Sequence, residues 1–410
     1  MAENGFAASL QPKVLAYLDP ADRRAALGFG PDEPLGITML AQGEYNLNYL
    51  VTGGARCVVA RVNTGTQIGA GDQIGYEYRA LEFLRPAGIA PEPFLLDNSG
   101  AEIPYGFLVE EYFPGRPLDY ATEVALAART IAALHTLPTA GNPDFLVVPD
   151  PLNGSWQEAK GFLDVFFAAP EADARVKRIF EHVLPALAET AARTIAALHT
   201  LPTVGNPGFL VVPDPLTGSW QEAKGYLDVF FAAPEADARV KRIFTRVLAA
   251  LAETATRNRA HFRPEERVII HTDVQAHNFI VADPSSERAK LVDWEKPMLD
   301  DGSYDLCHFL TPTTTLWKCE YILSDAQRAA FLAAYAAAVG EHHAGRDLIG
   351  RVETRMPFVY LRAVGWCAMA WVEYTRPGRL LRNEATFTKI VEYLEPDFLV
   401  DLFRPYVSGL

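Results

Sequence analysis

Two carboxylates and a carboxamide lie close together in residues 271–305. The stretch reads His271-Thr-Asp273-Val-Gln-Ala-His-Asn278, then Leu291-Val-Asp293-Trp-Glu295, then Gly302-Ser-Tyr-Asp305. These residue types at this spacing suit phosphoryl transfer from a nucleotide. One acid takes the proton of an attacking hydroxyl, while the amide and the second acid hold Mg²⁺ on the phosphates of ATP. The competing reading is a hairpin whose polar residues only cap strands, since an Asp with an Asn five residues on is common by chance. The order of all these elements along the chain favours the chemical reading.

Such residues need rigid supports. Val268-Ile-Ile270, Phe279-Ile-Val281 and Leu291-Val292 read as short strands that place the polar groups at loop ends. Far upstream, Ile37–Leu40, Asn46–Val51 and Arg56–Val62 form the pattern of a three-strand meander, with Gly43 in one turn and Gly53-Gly54 in the next. A helical pattern with Tyr78, Leu81, Phe83 and Leu84 follows and stops near Pro86. Pro93–Leu96 and Gly106–Tyr112 read as extended, and the chain turns helical beyond Pro114-Gly115. Ser324-Asp-Ala-Gln327 is a capping box for a helix ending at Gly340, and helical spacing resumes over Val359–Tyr374 and Phe387–Phe403. A small β-rich lobe thus precedes a larger helical one.

With 410 residues, 49% of them hydrophobic and 21% charged, the chain is a folded globular protein. A formal charge of −14 argues against general nucleic-acid binding, which depends on neutralising phosphates. No apolar run reaches membrane-spanning length and no export signal is evident, so a cytoplasmic protein without membrane contact is expected. Cys57, Cys307, Cys319 and Cys367 are scattered without metal-ligand spacing, as expected of reduced thiols. The oligomeric expectation is a monomer or homodimer.

The chain also contains a near-perfect tandem repeat. Residues 127–190 recur without gaps as 191–254, and only seven of the 64 positions differ: Ala140/Val204, Asp144/Gly208, Asn153/Thr217, Phe162/Tyr226, Glu181/Thr245, His182/Arg246 and Pro185/Ala249. Two copies cannot make a solenoid. Val176, Ile179, Phe180, Val183, Leu184 and Leu187 follow helical spacing, and the stripe runs on through Ala191, Ile195 and Leu198, so a helix fused across the junction is expected, kinked at Pro185.

With these elements in place, the chain resembles the aminoglycoside phosphotransferase and choline kinase-like family, a branch of the protein-kinase-like fold. The resemblance runs from about residue 35 to 400, apart from the extra copy, and is carried by a set of markers. They are Gly43-Glu-Tyr-Asn46, Val59-Ala-Arg61-Val, Glu77-Tyr-Arg-Ala-Leu, Phe107-Leu-Val-Glu-Glu-Tyr-Phe-Pro-Gly115, Ala-Leu-His135, His271-x-Asp273-x₄-Asn278 and Asp293-Trp-Glu. The resemblance implies an α+β, two-lobed fold: a nucleotide-binding N-lobe and hinge over residues 1–113, and a helical C-lobe over 114–410 with an extra helical insertion. It implies ATP and Mg²⁺ as cofactors and a small-molecule hydroxyl as acceptor. Asp273 is then the base, Asn278 and Asp293 the metal ligands, and His271 and Asp305 braces of the loop. Arg61, paired with Glu77, takes the place of the usual phosphate-binding lysine. Val59 roofs the adenine, Gly43 and Asn46 belong to the phosphate loop, and Glu110 and Tyr112 lie in the hinge.

Thr272 replaces a commoner glycine, a minor change. Gly43-Glu-Tyr-Asn46 is not the triple-glycine loop of protein kinases, the activation-segment motif is not evident, and Gln275 stands where those enzymes place a lysine. All this fits a small-molecule kinase, with Trp317, Trp371, Glu373 and Tyr374 as candidates for lining the acceptor cleft. The family has the Ala-Leu-His helix once. Copy one joins naturally to the hinge and copy two to Asp273, so the surplus, between about 140 and 205, is expected to be extruded. The alternative is a nucleotide-binding pseudokinase or scaffold impaired by the duplication. A metal site built from His271, His277, Glu341, His342 and His343 lacks the required spacing.

Overall fold

The computed structural model describes residues 5–66, 72–139, 210–211, 215–258, 261–282, 288–375 and 383–410. Its contacts divide the chain into two compact units, Met1–Pro138 with Asp214–Leu410, and Thr139–Pro213. The fused helix over 176–198 and the extruded segment expected from the repeat lie outside the described residues.

The larger unit opens with two helices that the sequence patterns did not reveal, α1 (Gly5–Leu18) and α2 (Ala21–Leu27). Pro12 inside α1 breaks the usual helix signal. Its Leu10, Val14 and Leu18 are buried nonetheless, in one core with the sheet. That sheet is antiparallel in the order β1-β2-β3-β5-β4, with β1 Leu35–Gln42, β2 Asn46–Gly53, β3 Arg56–Asn63, β4 Pro93–Asp97 and β5 Gly106–Glu111. Side chains alternate across a strand. Val58, Ala60 and Val62 of β3 therefore join the core with α1, which leaves Val59 and Arg61 for the opposite face. Helix α3 (Gln73–Leu84) starts where the Asp72 carboxylate accepts the Gly75 amide at 2.9 Å, and it ends just before Pro86.

Beyond β5 the chain crosses to the helical part, and a short strand β6 (Arg116–Pro117) pairs with Phe279–Val281. Gly115 is needed at this crossing, since a Cβ there would lie 2.9 Å from the Val281 carbonyl oxygen. Helix α4 (Val124–His135) carries the head of copy one, and the helices Pro215–Ala232 and Ala238–Asn258 carry the tail of copy two. The capping box at Ser324 and Gln327 opens the helix Asp325–Val339 as expected. A long helix, Leu348–Thr375, extends the expected span at its N-terminal end and tolerates Pro357. It packs closely on Pro215–Ala232: a Cβ on Gly365 would sit 3.0 Å from the Ala223 carbonyl oxygen. The last expected helix is in fact two, Glu384–Tyr393 and Pro396–Phe403, because Pro396 cannot continue a helix but starts one well.

Candidate active site

Asp305, in the first turn of the helix Ser303–Leu310, organises the 271–278 loop. Its carboxylate is fully buried; Oδ2 accepts the His271 amide at 2.8 Å and Oδ1 accepts the Thr272 amide at 2.9 Å. His135 Nε2, from copy one, lies 3.3 Å from Oδ2, and its Nδ1 lies 2.7 Å from the Tyr335 hydroxyl. An ionised carboxylate only accepts, so His135 donates through Nε2 and accepts from Tyr335. Burial by itself would raise the pKa of Asp305, but these bonds outweigh it and hold the group below the ordinary carboxylate range.

The fork sustains an unusual backbone. Thr272 has φ 74°, a left-handed conformation that a β-branched residue rarely adopts. Its hydroxyl donates to the Lys296 carbonyl at 3.0 Å. His271 turns its ring inward, with Nε2 3.1 Å from the Val292 carbonyl, Nδ1 accepting the Asp273 amide at 3.3 Å, and the ring 4.4 Å from that of Trp294.

Asp273 is left partly open to solvent. Its Oδ2 accepts Asn278 Nδ2 and Gln275 Nε2, each at 2.9 Å, and Asn278 Nδ2 also reaches the Asp273 carbonyl at 2.8 Å. The Asn278 carbonyl takes the Val292 amide at 2.9 Å, which seats Asp293 beside it. Asp293 also has a positive φ, 73°, and its Oδ1 meets Arg61 Nη2 at 2.6 Å.

Arg61 is 2% exposed and serves several acids. Its Nε lies 3.0 Å from Glu77 on α3, and its Nη2 lies 3.5 Å from Glu295. Burial opposes its charge, but Glu77, Asp293 and Glu295 more than compensate and raise its pKa. One guanidinium cannot satisfy all these carboxylates. Desolvation pushes Glu77 up to about 7 against the pull of Arg61, and Glu110, buried on β5, up to about 8 with help from Glu77. Glu295 is raised too, by desolvation and then by Asp293. Asn46 donates to Glu295 and accepts from Asn63 at 2.7 Å, while the Gly43 amide closes the β1–β2 turn on the Asn46 carbonyl at 2.8 Å. Val59 is buried beside this cluster on β3, and Tyr112 is half-buried just past β5.

Ion pairs and hydrogen bonds thus link Arg61, Glu77, Asn46, Asp293, Asn278 and Asp273 in one cluster. The candidates for lining the acceptor cleft make mainly aromatic contacts. Trp317 packs on Trp366 and Tyr393, and Trp371 on Phe230. Tyr374 is buried, stacks on Phe387 and bonds the Glu44 carboxylate at 3.0 Å, while Glu373 is half-buried on the same helix. Among the described residues no three His, Cys, Asp or Glu side chains gather as a metal set; the His342 and His343 rings pack at a tilt, centroids 3.9 Å apart. Sequence reasoning missed His308, whose Nε2 is 3.6 Å from Asp273 Oδ1. Its position three residues after Asp305, on the same helix face, was the available signal. Desolvation pulls its pKa down to about 4 despite Asp273, so the ring is neutral near pH 7.

No protein of curated function matches the sequence. Solved structures share the fold at low identity. They include an ethanolamine kinase of Plasmodium vivax (TM-score 0.55, 12% identity, 97% of this chain and 90% of that one). Spectinomycin phosphotransferase APH(9)-Ia, in complex with ADP and spectinomycin, is similar as well (TM-score 0.52, 12% identity, 95% and 96%). So is aminoglycoside phosphotransferase APH(4)-Ia (TM-score 0.52, 13% identity, 95% and 98%). These likenesses establish the two-lobed, protein-kinase-like α+β fold. The model of the phosphotransferase enzyme family matches twice, over residues 36–181 and 146–349, as a duplicated segment requires. Those matches span most of the chain, which therefore belongs to the phosphotransferase enzyme family, as a small-molecule kinase.

Proposed function

We propose that the protein transfers the γ-phosphoryl group of ATP, with Mg²⁺, to a hydroxyl of a small molecule, and that Asp273 is the base. The observation that carries this reading is the clasp between Asn278 and Asp273 beside Asp293. Asp273 keeps a partly exposed carboxylate with Oδ1 turned toward neutral His308, where it can align a hydroxyl and take its proton. Gln275 and Asn278 fix its orientation from the other side. The spectinomycin enzyme, solved with ADP and its acceptor, supports a nucleotide and a small molecule in one cleft.

The residues present fit Mg²⁺. Asn278 spends its amide nitrogen on Asp273, which leaves its oxygen for a metal, and Asp293 is a hard carboxylate with a 34% exposed side chain. Carboxylates outnumber the single guanidinium in this cleft, so a divalent cation is favoured there. When bound, the ion would neutralise charge on the phosphates as the phosphoryl group moves. Arg61 would hold phosphate oxygens through a planar fork kept in place by Glu77. Val59, with the backbone of 110–112, would meet the adenine.

Thermal stability with ATP, with and without Mg²⁺, tests the proposal, comparing wild type with Asp293→Ala and Asp273→Asn. A Mg²⁺-dependent rise is expected in wild type and in Asp273→Asn but not in Asp293→Ala. ADP formation with an acceptor should require Asp273. A Mg²⁺-dependent rise that survives in Asp293→Ala would remove Asp293 from the metal site, and turnover by Asp273→Asn would remove the base.

A further inference from the structure

The long helix Leu348–Thr375 carries Arg351, Arg355 and Arg362 at four- and seven-residue spacing, hence on one face. The first two each pair with a buried aspartate. Arg351 Nη1 lies 2.6 Å from Asp301, and Arg355 Nη2 lies 2.6 Å from Asp300, with all four side chains buried. Arg362 differs. Its Nε bonds Glu222 at 3.0 Å, while its two terminal nitrogens have no hydrogen-bond partner among the described residues. The other oxygen of Glu222 takes Lys296 Nζ at 2.6 Å and the Tyr226 hydroxyl at 2.9 Å. Two cations therefore share one carboxylate.

A chain of side-chain contacts links this guanidinium to Asp273, and its side chain is 15% exposed. Its carbon is 5.9 Å from the centre of the Tyr304 ring, that ring stacks on His308, and His308 Nε2 is 3.6 Å from Asp273. The Lys296 carbonyl accepts the Thr272 hydroxyl, so the lysine flanks the same loop. With Nε engaged, Arg362 presents an end-on fork of two N–H donors, whose geometry matches the two oxygens of a carboxylate. An ammonium group in that place would face two fixed cations.

We propose that Arg362, supported by Lys296, selects the acceptor, and that the acceptor is a hydroxy acid whose carboxylate binds this fork while a hydroxyl reaches Asp273. The inference rests on Asp273 being the group that meets the acceptor hydroxyl. It sets the chain apart from relatives named for cationic aminoglycosides or ethanolamine.

Three six-carbon polyols that differ only at one end test it: gluconate, sorbitol and glucamine, which are anionic, neutral and cationic. Each carries hydroxyls at several distances from that end. Binding is read by thermal shift in the presence of Mg²⁺ and ATP, and turnover by ADP formation. Gluconate should bind about tenfold or more tighter than glucamine, as charge-assisted hydrogen bonds imply. Arg362→Met should raise the KM for gluconate by about tenfold relative to sorbitol, with kcat much less affected. A purely structural arginine would instead change all three compounds alike. Lys296→Met supplies a second variant if Arg362→Met does not fold, and the wild-type ranking needs neither. Preference for glucamine, or no discrimination by charge, including no response to any of the three, overturns the proposal. A retained Mg²⁺-dependent ATP shift in that case leaves the phosphotransferase reading standing.

Discussion

Asp305→Asn is the most informative single change, because one buried carboxylate holds two consecutive loop amides and a histidine. Asparagine keeps one acceptor oxygen and puts an NH₂ group in place of the other. Whichever way the amide turns, a donor faces a donor: the Thr272 amide in one orientation, or the His271 amide and His135 in the other. A hydrogen bond to a charged group contributes about 1.5–3 kcal/mol, and an unsatisfied buried donor costs about 1–3 kcal/mol. Relief of carboxylate desolvation offsets part of this, so a net loss of about 3 kcal/mol is expected. Urea unfolding at pH 7 measures it. The pH dependence gives a second reading. The folded pKa of Asp305 is lowered, so its stabilisation is complete above the unfolded value of about 3.9 and is lost as pH falls through the folded value. The variant should lack that part of the acid-limb loss. Thr272→Gly removes the steric strain at φ 74° and should recover about 1 kcal/mol in the Asp305→Asn background. A loss below about 1 kcal/mol, with no coupling to Thr272, would refute the fork as the brace of this loop.

Three further outcomes are expected. Glu110 has a folded pKa raised to about 8, so its contribution is fully present below about 4.3 and lost as pH rises through 8; Glu110→Gln should therefore be stabilising relative to wild type at pH 9 and much less so at pH 5, by thermal melts. Tyr226→Phe restores the residue that copy one carries at Phe162, removes the 2.9 Å bond to Glu222, and should cost about 1 kcal/mol in urea unfolding. Excising residues 140–203 shortens the Thr139–Pro213 connection from 75 residues to 11, which by loop entropy alone stabilises the larger unit by about 1.7 kcal/mol; a marked loss of stability would show that the excised residues contribute more than length.

The chemistry was legible where it was local. Asp273, Asn278 and Asp293 sit in short runs whose apolar flanks mark strands, and Arg61 and Val59 fall on one face of β3 by simple alternation. Partners far apart in sequence were not legible: Glu222 meets Lys296 across 74 residues and Arg362 across 140. Nothing in the local pattern of any one of them announces the others. Helix α1 escaped because Pro12 interrupts it, yet it covers the sheet. Trp317, Trp371 and Tyr374 pack on other aromatic rings, contacts that helical spacing alone does not reveal.

The identity between residues 127–139 and 191–203 has a consequence for folding. The place beneath Asp305 has two candidates of the same sequence, His135 within residues 127–139 and His199 within residues 191–203, so the repeat itself cannot choose between them. The choice falls to residues just outside it. Val124 and Leu126 are 7% and 5% exposed in α4, and the matching positions before the second copy hold Ala188 and Thr190. Burying a valine and a leucine instead of an alanine and a threonine is worth roughly 3 kcal/mol, a population ratio of about a hundredfold. Exchanging those two side chains for Ala and Thr should bring two isomeric connectivities of one lobe to similar populations, with a second phase in refolding. The register of a duplicated enzyme is kept by two leucine-sized pieces of oil that were never duplicated.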